Sequence, residues 1–261
     1  MSSNRDRGFP MTQTRVVGFE RLELRFASKL WPFAQQCRAQ IDAHFAHLRD
    51  RNPHLWNGRV LLLHDFATGP DVFRGDYLET DFASFLAWRD WDFPDHSIRN
   101  CFGMAVLRGT DGAFLLGVMA DHTANAGKVY FVGGTPDPND IDGCKVDLHG
   151  SVLRELAEET GLSTREVAPE RGWYAVFAGL RIAMLKVLNA PVPAATLREQ
   201  ILRFLASQAR PELADVRIVN GPGDLCPQVP TFVSAFLDHI WRSPEPANTA
   251  PLGERSHQEP T

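Results

Sequence analysis

VDLHGSVLRELAEETGLS, residues 146–163, is the stretch on which the fold turns. Val152, Leu156 and Leu162 recur at helical spacing, Asp147 is a candidate N-cap, and Gly161 can adopt the positive φ that ends a helix. Glu155, Glu158 and Glu159 then share one face at i, i+3 and i+4, where like charges cost a few tenths of a kcal/mol each. That defect disappears if a cation sits beside them. Several carboxylates on one face suit a hard cation, and Mg²⁺ takes oxygen ligands while keeping waters and bridging to phosphates. Arg154, four residues before Glu158, can pair with that carboxylate and fix it. A solvated acidic helix with an Arg–Glu pair is the plain alternative.

The chain around this stretch has 261 residues, 44% hydrophobic and 23% charged, enough for one large or two modest globular domains. A net charge of −5 opposes a long nucleic acid or an anionic membrane as main partner. Cys37, Cys101, Cys144 and Cys226 lack paired zinc or disulfide spacing and read as reduced thiols. The N-terminal segment has no apolar signal stretch and no segment approaches a membrane span, so a cytoplasmic protein is expected.

Residues 1–13 and 243–261 are polar and aperiodic and read as disordered tails. Between them, a Pro-Asp turn near residue 96 separates an N-terminal α+β block, 14–95, from a second block, 96–242. In the first, VVGFERLELRF predicts a strand, FAQQCRAQIDAHFAHLRD a helix, RVLLLHDF and VFRGDYLET two strands, and Asp81 caps a helix carrying Phe85 and Trp88. The second opens with two strands joined at Thr110-Asp111-Gly112, continues with a strand at KVYFVGG, and after the acidic helix alternates strands and helices to PTFVSAFLDHIW. Interleaved elements of this kind predict an α/β layered architecture.

RELAEETGL, Arg154–Leu162, resembles the second half of the Nudix box: Arg-Glu, aliphatic, any, Glu-Glu, any, Gly, aliphatic. VYFVGG supplies the strand and glycines that precede the box loop. The first half departs from the pattern. Counting back from Arg154 by the usual spacing puts Val146 where a glutamate is expected and Asp140 where a glycine is expected. If Gly134 is the box glycine, the loop is six residues too long and the first glutamate is missing, with Asp147 or Asp142 as nearby substitutes.

The resemblance implies a Nudix-type α/β/α layered sandwich with a mixed sheet and an N-terminal α+β extension. It also implies a pyrophosphohydrolase cleaving a nucleoside diphosphate linked to another group. Glu155, Glu158 and Glu159 would hold Mg²⁺, or Mn²⁺, with the Gly134 or Gly133 carbonyl as an extra ligand and Arg154 completing the catalytic set. Glu166 and Glu170 are candidates for a general base on a later loop. NPHLWNG, Asn52–Gly58, resembles a stretch of the UDP-sugar pyrophosphatase branch, which makes a nucleotide sugar the first substrate to consider; a helix-ending turn with Trp56 in the core is the alternative.

Asp121–Phe131 reads as a cleft-lining loop or a plain hairpin connection, and His122 as a loop histidine rather than a metal ligand. Phe85, Trp88 and Trp91 fit core packing, and Arg99, Arg108 and Arg181 are left unassigned. Two other functions compete with hydrolysis of a small nucleotide: a Nudix module that binds nucleotides without turnover, and a hydrolase acting on nucleic acid or its precursors. The sequence does not fix the oligomeric state.

Overall fold

A computed structural model describes residues 14–242; the terminal segments 1–13 and 243–261, read above as tails, lie outside the described residues. The elements run β1 (Arg15–Phe19), β2 (Arg21–Phe26), α1 (Pro32–Gln36), α2 (Arg38–Arg51), β3 (Arg59–Thr68), β4 (Val72–Asp81) and α3 (Phe82–Asp90). They continue with β5 (Asn100–Arg108), β6 (Phe114–Met119), β7 (Val129–Tyr130), β8 (Ile141–Asp142), β9 (Lys145–Val146) and α4 (Leu148–Thr160). The chain closes with β10 (Ala168–Pro169), β11 (Trp173–Ala178), β12 (Arg181–Asn189), α5 (Ala194–Ser207), β13 (Leu213–Val219) and α6 (Thr231–Arg242).

The near-continuous apolar runs of β5 and β12 mark strands covered on both faces, and these two pair in parallel at the centre of the larger sheet. Its order is β1-β11-β12-β5-β6-β13, with β10 on β12 and β7 on β6. Alternate residues face opposite layers. Ala105, Leu107, Ile182 and Met184 pack with Val152 and Leu156 of α4 and Leu197 and Ile201 of α5. Met104, Val106, Ala183 and Leu185 pack with Val233, Phe236 and Leu237 of α6. The result is the expected α/β/α sandwich around a mixed sheet. Val152 and Leu156 are fully buried, and each contributes roughly 2 kcal/mol to seating α4.

The smaller sheet has the order β3-β4-β2-β9-β8. Leu61 and Leu63 of β3 join the core of the larger unit, while Val60 and Leu62 turn to Ile41, Phe85, Leu86 and Trp88 beneath α2 and α3. Asp81 caps α3 by accepting from the Ser84 N–H at 2.9 Å, and the core placement of Phe85 and Trp88 holds.

Three elements differ from expectation. VVGFERLELRF is two strands in two sheets, because the Glu20 and Arg21 N–H groups both turn to the Asp71 carbonyl and break the run between β1 and β2. The first helix is interrupted at Cys37, whose backbone (φ −100°, ψ 15°) leaves the helical region. KVYFVGG gives only the short β7: it pairs with β6 through Val129 and Tyr130, then shifts to β5 in a single bridge between Val132 and Ala105.

Sheet membership crosses residue 96 twice. β1 pairs with β11 in the larger sheet, and β9 pairs with β2 in the smaller one. No helix among the described residues is long and apolar enough to cross a membrane, and the four cysteines are free.

Candidate active site on the acidic helix

Helix α4 is fixed at both ends by local chemistry. Asp147 accepts from the Gly150 N–H at 2.9 Å, and Gly161 sits at φ 73°. Its apolar face approaches β5 at Gly103, where any Cβ would lie 2.5 Å from a Val152 methyl. The segment before the loop is equally close: a Cβ on Gly133, at φ 148°, would lie 2.2 Å from the Gly103 carbonyl oxygen. These two glycines let the strand, the loop and the helix converge.

That convergence buries Glu159, which is 5% exposed. Its Oε1 accepts from the Gly133 N–H at 3.1 Å, while Oε2 is buried with no hydrogen-bond partner. Burial raises its pKa well above the usual carboxylate range, and the charges of Glu155 and Glu212 push the same way. Glu155 is partly buried and accepts from Arg154 Nη1 at 2.8 Å. Burial outweighs that guanidinium and pushes its pKa up to about 7. Glu158 does not join them: its side chain is 61% exposed and only 3.5 Å from Arg154 at the closest approach.

Arg154 is held mainly elsewhere. Its Nη2 donates to both oxygens of Asp140, at 3.1 and 3.2 Å. Asp140 is a buried carboxylate that also accepts from the Asp137 N–H at 2.9 Å. It stands six positions after Gly134, where the first box glutamate is expected. Neither Asp147, engaged as the helix cap, nor exposed Asp142 takes that role. The six extra residues, 141–146, form the β8–β9 hairpin. Its base is closed by the Asp147 N–H donating to the Asp140 carbonyl at 2.7 Å. The spacing signal Gly134-x5-Asp140 was present in the sequence but hidden by the insertion.

Glu155 and Glu159 line a cleft of about 970 Å³ between the two blocks, together with Gly133, Gly134, Tyr130 and Glu212. Glu212, just before β13, is a carboxylate that sequence reasoning missed. It belongs to no motif and reaches the cleft only because its carbonyl accepts from the Ala120 N–H where β13 meets β6. Glu166 instead binds the Ser163 N–H and hydroxyl, and Glu170 pairs with Arg108 and Asn189; neither lines the cleft. Residues 122–125 do line it, as the loop reading expects. Arg181 also reaches it, 4.8 Å over the Phe93 ring. Trp56, placed in the core by the alternative reading of Asn52–Gly58, is instead 82% exposed on the cleft wall.

No family model matches this chain, and no curated protein does. Among solved structures it is similar to the Nudix hydrolase RenU from M. smegmatis, with 18% identity and a TM-score of 0.37 over 59% of this chain and 88% of that one. It is similar also to a MutT protein from Methanosarcina mazei Go1, with 19% identity and a TM-score of 0.37 over 55% of this chain and 94% of that one. The chain resembles the Nudix hydrolases. The chemistry open to the cleft is set by the α4 carboxylates and their geometry.

The carboxylates of α4 fit a divalent cation in part. Among the described residues no three His, Cys, Asp or Glu side chains are gathered as a closed cage. Glu155 and Glu159 nevertheless supply hard oxygen donors, and the partnerless Glu159 Oε2 is the atom a cation would satisfy. The Gly134 carbonyl accepts from the Gly103 N–H at 3.2 Å, which leaves it one further lone pair.

The acid pKa values give a testable sign. Glu155 and Glu159 titrate higher in the folded chain than unfolded, so their contribution to stability is present below the unfolded value and lost as pH rises through the folded one. For Glu155, a rise from 4.5 to about 7 corresponds to roughly 3 kcal/mol. Relative to a Glu155→Gln variant, which cancels the opposite trend from His64 and His149, whose burial lowers their pKa, the Tm of the metal-free protein should therefore fall between about pH 5 and about pH 8. Mg²⁺ should restore more stability at the upper end and release protons on binding, which calorimetry in buffers of different ionisation enthalpy measures. A metal-free Tm that climbs across this range relative to Glu155→Gln would contradict the assignment.

Proposed function

We propose that this chain is a divalent-metal-dependent pyrophosphohydrolase of the Nudix type, cleaving a nucleoside diphosphate linked to another group. The observation that carries the reading is the buried, partnerless Glu159 Oε2 beside Glu155 on the wall of a cleft large enough for such a substrate. Glu155, Glu159 and the Gly134 carbonyl would hold Mg²⁺ or Mn²⁺, with Glu158 available on the exposed flank of α4. When bound, the ion would neutralise phosphate oxygens and lower the pKa of an attacking water.

The chain's own groups have separable tasks. Arg154, anchored by Asp140, orients Glu155. Tyr130, Phe102 and Phe232 give the same cleft part of its apolar lining. Arg181 contributes a positive charge there, available to a second phosphate. Glu212 is a candidate base, since it faces the cleft without belonging to the box.

A nucleotide sugar is the first substrate to test, supported by His54, Leu55 and Trp56 of the Asn52–Gly58 stretch lining the cleft. UDP-glucose, other nucleotide sugars, ADP-ribose and diadenosine polyphosphates should be assayed with Mg²⁺ and Mn²⁺. Metal-dependent cleavage of at least one, with nucleoside monophosphate as product, is expected. Absence of turnover on all of them with retained nucleotide binding would favour a non-hydrolysing nucleotide-binding module, the alternative that the missing first box glutamate and the lengthened loop motivate.

A further inference from the structure

A tryptophan is among the costliest side chains to leave in water, so its exposure on a cleft wall calls for a reason. Among the described residues only Trp56, 82% exposed, and Leu30, 72% exposed, are large exposed hydrophobics. Leu30 does not line the cleft that holds Glu155 and Glu159; Trp56 does. Its indole is folded over Gly58, where a Cβ would stand 2.8 Å from Cζ3 and 3.0 Å from Cε3. A larger residue at 58 would displace the ring from this position. One face of the indole is set against backbone while the side chain as a whole remains open.

The loop that presents it is braced on both sides. Asn52 Nδ2 donates to the His122 carbonyl at 2.7 Å, tying Asn52–Gly58 to the opposite cleft loop. Asn52 Oδ1 accepts from the His54 N–H at 3.2 Å. Asn57 Oδ1 accepts from the Ala83 N–H at 2.7 Å, and the Gly58 carbonyl from the Phe82 N–H at 2.8 Å, so the first turn of α3 holds the other end. A pre-placed aromatic plane with an open face, in a cleft that also contains acidic metal-type ligands and Arg181, has the form of a stacking platform.

We propose that Trp56 stacks the heteroaromatic base of the substrate, so that the N-terminal block recognises the nucleoside while the box acts on its phosphates. The identity of the ligand as a nucleotide rests on the hydrolase reading; the platform itself rests on the exposure and bracing of Trp56. His54 beside Trp56, and His122 and Asn125 of the loop to which Asn52 is tied, line the same cleft and offer polar groups to a base edge.

The test uses the full chain without metal and follows tryptophan fluorescence and calorimetry with UMP and AMP, against ribose 5-phosphate and glucose 1-phosphate as base-free controls. At least one monophosphate should bind and quench fluorescence, and the base-free phosphates should not quench. Trp56→Ala should weaken monophosphate binding on the order of tenfold to a hundredfold and remove the quench, Trp56→Phe should retain most of the affinity, and Leu30→Ala should behave as wild type. With a cleaved substrate in hand, Trp56→Ala should raise KM by more than it lowers kcat.

Wild-type affinity in Trp56→Ala, equal quenching by glucose 1-phosphate, or no binding of either monophosphate to the wild-type chain would each overturn the platform. Turnover with an unchanged KM in Trp56→Ala would remove the platform and leave the hydrolase standing. Trp56-dependent nucleotide binding without any turnover would do the reverse.

Discussion

Replacing Glu159 by glutamine is expected to lower pyrophosphate cleavage by roughly a hundredfold or more while making the metal-free protein more stable above neutral pH. Both effects come from one atom. Glu159 is buried at 5% exposure, its Oε2 has no partner, and burial together with Glu155 and Glu212 opposes its ionisation. Ionising it without a cation is therefore unfavourable, and a neutral amide of the same shape removes that cost. The Gly133 N–H can still donate to the amide oxygen, so the loop keeps its anchor. Losing function while gaining stability marks a residue kept for chemistry rather than packing. A Glu159→Gln variant with wild-type turnover, or with a lower metal-free Tm at about pH 8, would sink the assignment.

The second large effect is expected at Asp140. Asp140→Asn leaves the partly exposed guanidinium of Arg154 without the carboxylate that receives its Nη2 twice. Removing one partner of a buried pair typically costs about 3 kcal/mol or more, and with Arg154 at 31% exposure roughly 2 kcal/mol is the expected loss on urea unfolding. The freed guanidinium would then lean on Glu155, its other close carboxylate at 2.8 Å, and compete with a metal for the same oxygens. Mg²⁺ affinity should drop about tenfold or more. If Asp140→Asn unfolds and binds metal as wild type does, Asp140 is no substitute for the missing box glutamate.

The sequence revealed α4 almost completely, because Asp147, Gly161 and the Val152/Leu156 spacing are local signals that the folded chain uses as written. It could not show that Glu158 would turn outward while Glu155 and Glu159 turned inward. A helical wheel places all three on one face, and only packing against Gly133 and β5 distinguishes them. Glu212 was equally hidden, being an isolated residue whose importance depends on which loops meet across the cleft, while Trp56 lay in a stretch whose two readings local sequence could not separate. Asp140 was concealed for a different reason: an inserted hairpin shifted the counting, although the folded chain restores the neighbour relation through the Asp147 N–H to Asp140 carbonyl bond.

The exchange of strands across residue 96 sets an order of events during synthesis. β1 emerges early, yet its ladder needs Phe177 opposite Arg15 and Trp173 opposite Phe19. The N-terminal sheet likewise waits for Lys145 to reach Arg25. Neither half can therefore finish while the other is unmade, and a nascent chain stopped near residue 96 carries two strand edges without their partners. Long-range pairings of this kind slow folding and leave edges open to wrong partners meanwhile. The same arrangement ensures that the box loop, fastened through β8–β9 to the first block, reaches its final position only when the wall bearing Trp56 is also in place.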